Sequence, residues 1–262
     1  MVNSKLHIAL ISDGQRHQML GILLIISKLA CLADENTVFW ICLPEKHQDL
    51  YKDQIDKVYS DLNINFFDIR TCEIDRYFVK LGLIRLVENL DPDDMFLYLD
   101  YDHLVLNRFD FKKLSIDHVH VSSEVTDIPE VNYINHQKHY NNSFIFGLVS
   151  NIHKITKGWF EIYSLLDKIF EKREEISFNL SAQRNSIKLS PVAFVDQNYF
   201  GENCCKPSLF HYGGSSLESN QMKCYLKTRS FEFKWCSFNI KELFFEHSLM
   251  LKKLNLYKNY GI

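Results

Sequence analysis

Residues 95–102 have the sequence MFLYLDYD, an apolar run that ends in two aspartates separated by one residue. The first five residues carry no charge, which is typical of a central parallel strand covered on both faces. Side chains two positions apart on an extended chain point the same way, so Asp100 and Asp102 are expected to present two carboxylates at one point. The segment therefore predicts a buried strand with a polar site at its exit.

Strand and helix patterns alternate along the residues before this strand. The predicted elements are strand 6–11, helix 15–33, strand 37–43, helix 45–60, strand 63–69 and helix 73–90. Such alternation implies right-handed crossovers and a mainly parallel sheet, whose ligands bind beyond the carboxyl ends of the strands.

The second half of the chain is less regular. It contains strand patterns at 118–123 and 143–150, one long helix pattern at 152–175, and a final amphipathic helix at 240–254. No repeat or linker is evident, so an α/β fold with one domain over residues 1–262 is predicted.

Composition narrows the classes of protein that fit. The chain of 262 residues is 46% hydrophobic, which is enough for a large core, and its net charge of −3 gives no strong nucleic-acid signal. Its seven cysteines form no CxxC pair and no framework spacing. Together with the lack of a secretion pattern at the N-terminus, this predicts reduced thiols and a cytoplasmic protein.

Two carboxylates at one strand end repel each other unless a cation lies between them. Mg²⁺ commonly binds one or two carboxylates together with substrate phosphates, and an imidazole ligand favours Mn²⁺ over Ca²⁺. His211 is a candidate third ligand because it precedes Gly213 and Gly214, whose backbone amides could approach phosphate oxygens. The alternatives are a solvated turn for the two aspartates and an ordinary surface or core histidine.

Three further polar positions are weak signals when taken singly. Asp13 follows the first strand, Asn142 precedes a later one, and Asp196-Gln197 follows a short apolar run. Each is also explained by a helix cap or a turn.

The ordered set of these motifs resembles glycosyltransferase family 8, whose members have the GT-A fold. The matching segments are residues 8–13, YFVKL at 77–81, FLYLDYDHLVL at 96–106, Asn142-Ser143, Asp196-Gln197 and HYGG at 211–214. The chain departs from the family pattern at Phe144, where a glycine is usual, and after Gly214, where a lysine is missing. Arg85 also competes with Lys80 for the basic position before the DxD motif.

The resemblance implies a role for each matching residue. Mn²⁺ or Mg²⁺ would be held by Asp100, Asp102 and His211. The nucleotide-sugar would be bound by Ser12, Asp13, Lys80, Tyr101, Asn142, Gly213 and Gly214. The residues beside the anomeric carbon would be Asp196 and Gln197.

The implied activity is metal-dependent transfer of a hexose from a nucleotide-sugar, UDP-glucose or UDP-galactose at the level of the family, with retention of configuration. The acceptor hydroxyl could belong to a glycan, a lipid-linked sugar, a protein or a modified nucleobase. Residues 1–110 would bind the nucleotide, residues 111–239 the donor sugar and acceptor, and residues 240–262 would form a C-terminal helix.

Other functions fit parts of the same pattern. An inverting GT-A transferase would use Asp196 as a base, and a sugar nucleotidyltransferase would need a Gly-rich basic loop that residues 12–16 match poorly. A non-catalytic sugar- or protein-binding module on a decayed transferase scaffold would account for Phe144 and for Leu217, which stands where the family has its lysine. The lysines and apolar residues of 240–262 also fit peripheral membrane contact, although packing on the core is the simpler interpretation.

Overall fold

The chain is described here by a computed structural model that covers residues 4–69, 80, 82–105, 114–122, 139–166, 173–192, 195–197 and 209–211. Ten strands lie in these ranges: β1 (Leu6–Ile11), β2 (Thr37–Leu43), β3 (Ile64–Asp68), β4 (Met95–Leu99), β5 (His103–Val105), β6 (Val119–Ser122), β7 (Phe144–Leu148), β8 (Leu189–Val192), β9 (Val195–Gln197) and β10 (Leu209–His211). The α-helices there are α1 (Arg16–Leu29), α2 (Glu45–Val58), α3 (Gly82–Val87), α4 (Val149–Leu165) and α5 (Arg173–Arg184).

Seven of the strands form one sheet in the order β3-β2-β1-β4-β7-β6-β8. Strands β1 to β4 are parallel to one another, and β6 is parallel to β8. Strand β7 runs antiparallel to both of its neighbours, β4 and β6. This mixed, mainly parallel sheet confirms the α/β fold predicted from the alternating pattern.

Helices cover both faces of the sheet. Successive strand residues point to opposite sides, so each strand contributes apolar side chains to both faces. On one face, Ile8 and Leu10 of β1 pack with the apolar side of α1 and with Tyr51 and Ile55 of α2. On the other face, Ala9 and Ile11 join a second core cluster that α3, α4 and α5 complete. The apolar run in residues 19–26 is therefore a buried layer of the core, since none of its side chains is more than 4% exposed.

The reversed direction of β7 decides what lies at the edge of the sheet. Leu99, the last residue of β4, pairs with Phe144, the first residue of β7. The residues that precede β7 are thereby brought to the same edge as the residues that follow β4.

A second, three-stranded sheet has the order β5-β10-β9. Strand β10 is antiparallel to β5 and parallel to β9. Because β5 begins directly after Asp102, this small sheet adjoins the same edge.

One predicted element is wrong. The helix expected over 152–175 ends at Leu165, since Leu166 has extended backbone angles (φ −73°, ψ 139°), and a separate helix, α5, begins at Arg173. The final helix predicted over 240–254 lies outside the described residues. In the part of the chain that is described, no helix has both the length and the apolar character needed to cross a membrane.

A buried polar network ties three strands together at the opposite, amino-terminal edge of the sheet. Trp40 Nε1 donates to His7 Nδ1 over 3.1 Å, so the proton of this imidazole lies on Nε2, which is 2.9 Å from Asp94 Oδ2. The other Asp94 oxygen accepts from the backbone amide of Lys5 at 2.7 Å. Asp94 thus accepts two hydrogen bonds at a position that is only 8% exposed.

We expect Asp94→Asn to lower the free energy of unfolding by about 1–3 kcal/mol, because its new NH₂ group would face one of the two donors and leave that donor without an acceptor. Urea denaturation followed by circular dichroism measures the loss. Asp93→Asn, at the exposed neighbouring residue, is the matched control. Equal midpoints for the two variants would contradict the assigned role of the network.

Candidate active site

The candidate site lies where the carboxyl ends of β1 and β4 meet the start of β7. Asp100 is the first residue after β4, and its backbone amide donates to the carbonyl of Ser143 at 2.9 Å. This bond continues the β4–β7 ladder one step past the strand. It fixes Asp100 beside Asn142 and Ser143. Asp100 and Asn142, both predicted from the sequence as site residues, are thus neighbours although they are 42 residues apart in the chain.

The Asp100 carboxylate is held by two side chains. The Tyr98 hydroxyl donates to Oδ1, and Lys80 Nζ lies 2.9 Å from Oδ2. Tyr98 and Asp100 are two residues apart, so they share a face, and the Lys80 ammonium lies 5.8 Å from the centre of the Tyr98 ring. Burial, followed by the charge of Asp100, raises the pKa of Tyr98, so its phenol stays protonated and donates.

Lys80 joins Asp100 to two further residues. Its Nζ donates to Asn142 Oδ1 over 3.2 Å and lies 3.7 Å from Glu174 Oε2. Burial lowers the pKa of Lys80, but the charges of Asp100 and Glu174 together raise it by more. Lys80 is therefore a permanent positive charge, held between Asp100, Asn142 and Glu174.

Glu174 closes the network from the opposite side. Its Oε1 accepts from Asn142 Nδ2, and Glu174 and Asn142 are 8% and 0% exposed, respectively. Burial is the largest cause that raises the pKa of Glu174 to about 7, with Glu175 and Asp100 adding to it and Lys80 and Asn142 opposing it. A carboxyl group with a pKa near neutrality in a polar cluster is a feature that active sites share.

Helix α5 is attached to the segment before β7 at three consecutive residues. Tyr140 exchanges two hydrogen bonds with the Asn179 side chain, at 2.9 and 2.8 Å. The Asn141 amide donates to Glu175 at 3.1 Å, and the Asn142 amide donates to Glu174. Of these helix residues, Glu174 reaches the site through Asn142, while Glu175 and Asn179 attach the helix beside it.

The small sheet brings the late motifs to the same place. Its register aligns residue 211 of β10 with His103 of β5 on one side and with residue 197 of β9 on the other. Adjacent strands lie about 5 Å apart, so residues 103, 211 and 197 form a row beside Asp102. For 195–197, 210 and 211 only the backbone is described, and Gly213 and Gly214 lie outside the described residues.

The residues at this edge fit a divalent cation. Asp100 and Asp102 supply carboxylates, and Asp102 is 5% exposed. Residue 211, a histidine, pairs in the small sheet with His103, the residue after Asp102. Two carboxylates and an imidazole suit Mn²⁺ or Mg²⁺. Among the described side chains no group of three or more His, Cys, Asp or Glu residues is placed to hold a metal ion, so the ligand set depends on His211.

The loop after β1 turns at Gly14, which has a φ of +93°. The Ser12 hydroxyl accepts from the Gly14 amide at 2.9 Å, and the Asp13 carboxylate accepts from the amide and side chain of Gln15 at 3.0 and 2.7 Å. Asp13 therefore shapes the turn itself. The nucleoside contact expected of Ser12 and Asp13 remains a prediction.

Tyr101, which lies between the two aspartates in the sequence, contacts helix α1. Its ring meets the edge of His17 at 5.6 Å between centroids, and its carbonyl oxygen lies directly against Gly21. A Cβ at position 21 would overlap this oxygen. The helix thus supports the turn that carries Asp100 and Asp102.

The structure clarifies two departures from the family pattern. Phe144 is fully buried and packs in the core cluster under α1, so its bulk is absorbed by the core. Lys80, and not Arg85, reaches the Asp100 carboxylate. The Arg85 guanidinium lies over the Phe67 ring at 5.9 Å and 3.5 Å from the Asp68 carbonyl.

Sequence reasoning missed Glu174 because it placed this residue inside one long helix. The available signal was an acidic pair, Glu174-Glu175, which is typical of the first turn of a new helix. It also assigned no role to Tyr98, since an aromatic residue in an apolar strand is usually part of the core.

Comparison with known proteins supports the fold. No protein family model and no curated protein sequence matches the chain. The galactosyltransferase LgtC, in complex with donor and acceptor sugar analogues, superposes with a TM-score of 0.62 at 13% identity, over 90% of this chain and 98% of LgtC. An active-site mutant of LgtC gives a TM-score of 0.56 at 12% identity over the same shares of the two chains.

The glycosyltransferase GlyE of Streptococcus pneumoniae TIGR4, in its apo form, gives a TM-score of 0.57 at 12% identity. The superposition covers 97% of this chain but 63% of GlyE, so the chain spans less than two thirds of that protein. At such identities the likeness concerns the fold. It confirms the GT-A fold that the family resemblance implied.

We expect Gly21→Ala to lower the free energy of unfolding by about 1–3 kcal/mol, although alanine favours a helix by roughly 1 kcal/mol over glycine. The added methyl must displace the Tyr101 carbonyl. Chemical denaturation measures the change, and Lys28→Ala on the exposed side of the same helix is the control. A gain in stability for Gly21→Ala would show that the turn yields freely.

We expect the stability difference between Glu174→Gln and the wild type to depend on pH. Because folding raises the pKa of Glu174 from an ordinary 4.5 to about 7, its stabilising contribution is complete below pH 4.5 and is lost as pH rises through 7. Glutamine does not ionise, so the variant should gain roughly 2–3 kcal/mol relative to the wild type between pH 5 and pH 8.

Urea unfolding at pH 5 and pH 8 in metal-free buffer tests this expectation. Glu175→Gln, on the same helix turn, is the matched control and should show a smaller change. Parallel stability profiles for the wild type and Glu174→Gln would contradict the raised pKa.

Proposed function

We propose that this protein is a glycosyltransferase that moves a hexose from a nucleotide-sugar to an acceptor hydroxyl in a metal-dependent reaction, with retention at the anomeric carbon. The observation that carries this proposal is the meeting of Asp100, Lys80 and Asn142 at the carboxyl edge of a GT-A sheet, where residue 211 pairs with His103, the residue after Asp102. UDP-glucose and UDP-galactose are the proposed donors.

The chemistry follows from where charge develops. The bond between the anomeric carbon and the diphosphate breaks, a bond to the acceptor oxygen forms, and the acceptor proton leaves with a phosphate oxygen. The transition state resembles an oxocarbenium ion, so negative charge grows on the leaving group. Preorganised positive charge beside the leaving group stabilises this transition state, and such stabilisation is usually the largest contribution to catalysis.

The residues present supply this charge in two ways. Asp100, Asp102 and His211 would hold Mn²⁺ or Mg²⁺, which when bound acts as a Lewis acid on the diphosphate. Lys80 adds a fixed ammonium group in the same site, 2.9 Å from Asp100 Oδ2. Asn142 keeps that ammonium in place and is proposed to contribute to the donor-sugar pocket.

Residues 196 and 197 are proposed to lie beside the anomeric carbon. The register of β9 and β10 supports this, because it aligns residue 197 with residue 211. In a retaining reaction by front-face attack, Gln197 or Asp196 would stabilise the opposite face of the cation. Gly213 and Gly214, two and three residues beyond β10, are proposed to approach the phosphates.

We place the protein in the cytoplasm on the basis of its cysteines, which form no framework pattern. Cys42, on β2, is a buried free thiol, and burial raises its pKa. Cys42 therefore serves as an apolar side chain in the core of the sheet.

We expect Asp102→Asn to fold normally and to reduce Mn²⁺-dependent hydrolysis of UDP-glucose and UDP-galactose by about 100-fold or more, because a charged ligand is lost. UDP release in a coupled assay measures the reduction. Asp117→Asn, at an exposed site, is the control. Undiminished activity in Asp102→Asn would exclude the metal assignment.

The same assay separates the competing functions. Tight binding of a UDP-sugar with no turnover would indicate a non-catalytic binding module. Where turnover occurs, proton NMR of the fresh product distinguishes retention from inversion, and an inverted product would assign Asp196 the role of a base.

A further inference from the structure

We propose that Glu174 is a positioning residue of the active site, which sets the orientation of Asn142 and holds Lys80 in line with Asp100. This inference rests on the proposed function for its catalytic meaning, since Lys80 and Asn142 are proposed donor-site residues. The positioning itself is a property of the fold and is tested separately below.

The backbone of Glu174 is held in place by hydrogen bonds. Its backbone carbonyl accepts from the Trp159 indole nitrogen at 3.0 Å and from the Ser177 hydroxyl at 2.8 Å. Trp159 is fully buried, and the Asn179–Tyr140 pair attaches the same helix to the segment before β7. The Glu174 side chain therefore starts from a rigid base.

The side-chain amide of Asn142 lies between two groups of opposite charge. Its Oδ1 accepts from Lys80 and its Nδ2 donates to Glu174. A flipped amide would turn its NH₂ toward the ammonium group and its oxygen toward the carboxylate, which replaces two hydrogen bonds with two repulsive contacts. The pair of opposite charges permits one orientation.

Two carboxylates fix the position of the Lys80 ammonium group. Asp100 and Glu174 approach its ammonium group from two directions, at 2.9 and 3.7 Å. With one carboxylate alone, a lysine on a flexible stem is free to follow that carboxylate. The second carboxylate adds a contact that does not depend on Asp100 and so restricts where the ammonium group can lie.

The Glu174 carboxyl group destabilises the folded protein when it is charged. Charging a buried carboxyl opposes folding, and this is why the pKa of Glu174 is raised. Glutamine would keep the hydrogen bond to Asn142 without that cost. A glutamate in this position is the pattern expected where the charge serves the site and not the fold.

The test compares Glu174→Gln with Glu175→Gln, the neighbouring carboxylate that bonds Asn141 instead. We expect Glu174→Gln to raise KM for the UDP-sugar about fivefold or more and to lower kcat/KM by about tenfold or more, and Glu175→Gln to change both less than about threefold. Loss of folded protein alone would lower kcat and leave KM unchanged. Glu174→Asp, which keeps the charge on a shorter stem, should recover part of the loss and serves also if Glu174→Gln does not fold.

Crystal structures of the wild type and of the variants give a readout that does not need activity. We expect Lys80 Nζ in Glu174→Gln to leave Asn142 Oδ1, and to remain there in Glu175→Gln. Displacement of Lys80 in a protein whose wild type turns over no UDP-sugar would support the positioning role and reject the proposed function. An active wild type with unchanged KM and an unmoved Lys80 in Glu174→Gln would overturn the positioning role alone.

Discussion

The site depends on one partly buried positive charge and on the groups that surround it. The Lys80 ammonium contacts carboxylates of Asp100 and Glu174 and the carbonyl of Asn142. Buried charges are retained only when partners compensate for lost hydration. Lys80 lies before the DxD turn, Asn142 before β7, and Glu174 on a separate helix, so their convergence requires the correct packing of three distant parts of the chain.

The reversal of β7 is what makes this convergence possible. In an all-parallel sheet the residues before a strand lie at the amino-terminal edge, away from ligands. Because β7 pairs antiparallel to β4, Asn142 and Ser143 arrive at the carboxyl edge beside Asp100. A short side chain at this point then suffices to reach the Lys80 ammonium, and the bulk of the following Phe144 is directed into the core.

Sequence reasoning reached the fold and one side of the site, for physical reasons that can be stated. Apolar runs such as residues 95–99 identify buried strands by composition alone, and Asp100 is marked by its place after one of them. Glu174 carries no such mark, because its role arises from a break between two helices that the periodicity of 152–175 conceals. The junction depends on extended backbone at Leu166, where neither glycine nor proline marks it. The register of β10 against β5 is likewise a tertiary property, which local pattern does not specify.

The electrostatic balance of the site explains why its acidic groups are so many. Asp100 and Asp102 would be excessive as partners for Lys80 alone, and Glu174 has its pKa raised to about 7 although it lies beside that lysine. Such an excess of carboxyl groups at a buried edge disfavours folding by itself. It would become favourable with the divalent cation of the proposed function bound there, since two more positive charges would then face the same groups. On the proposed function, Asp100 and Asp102 would hold the cation, while Glu174 contacts the lysine that is paired with Asp100.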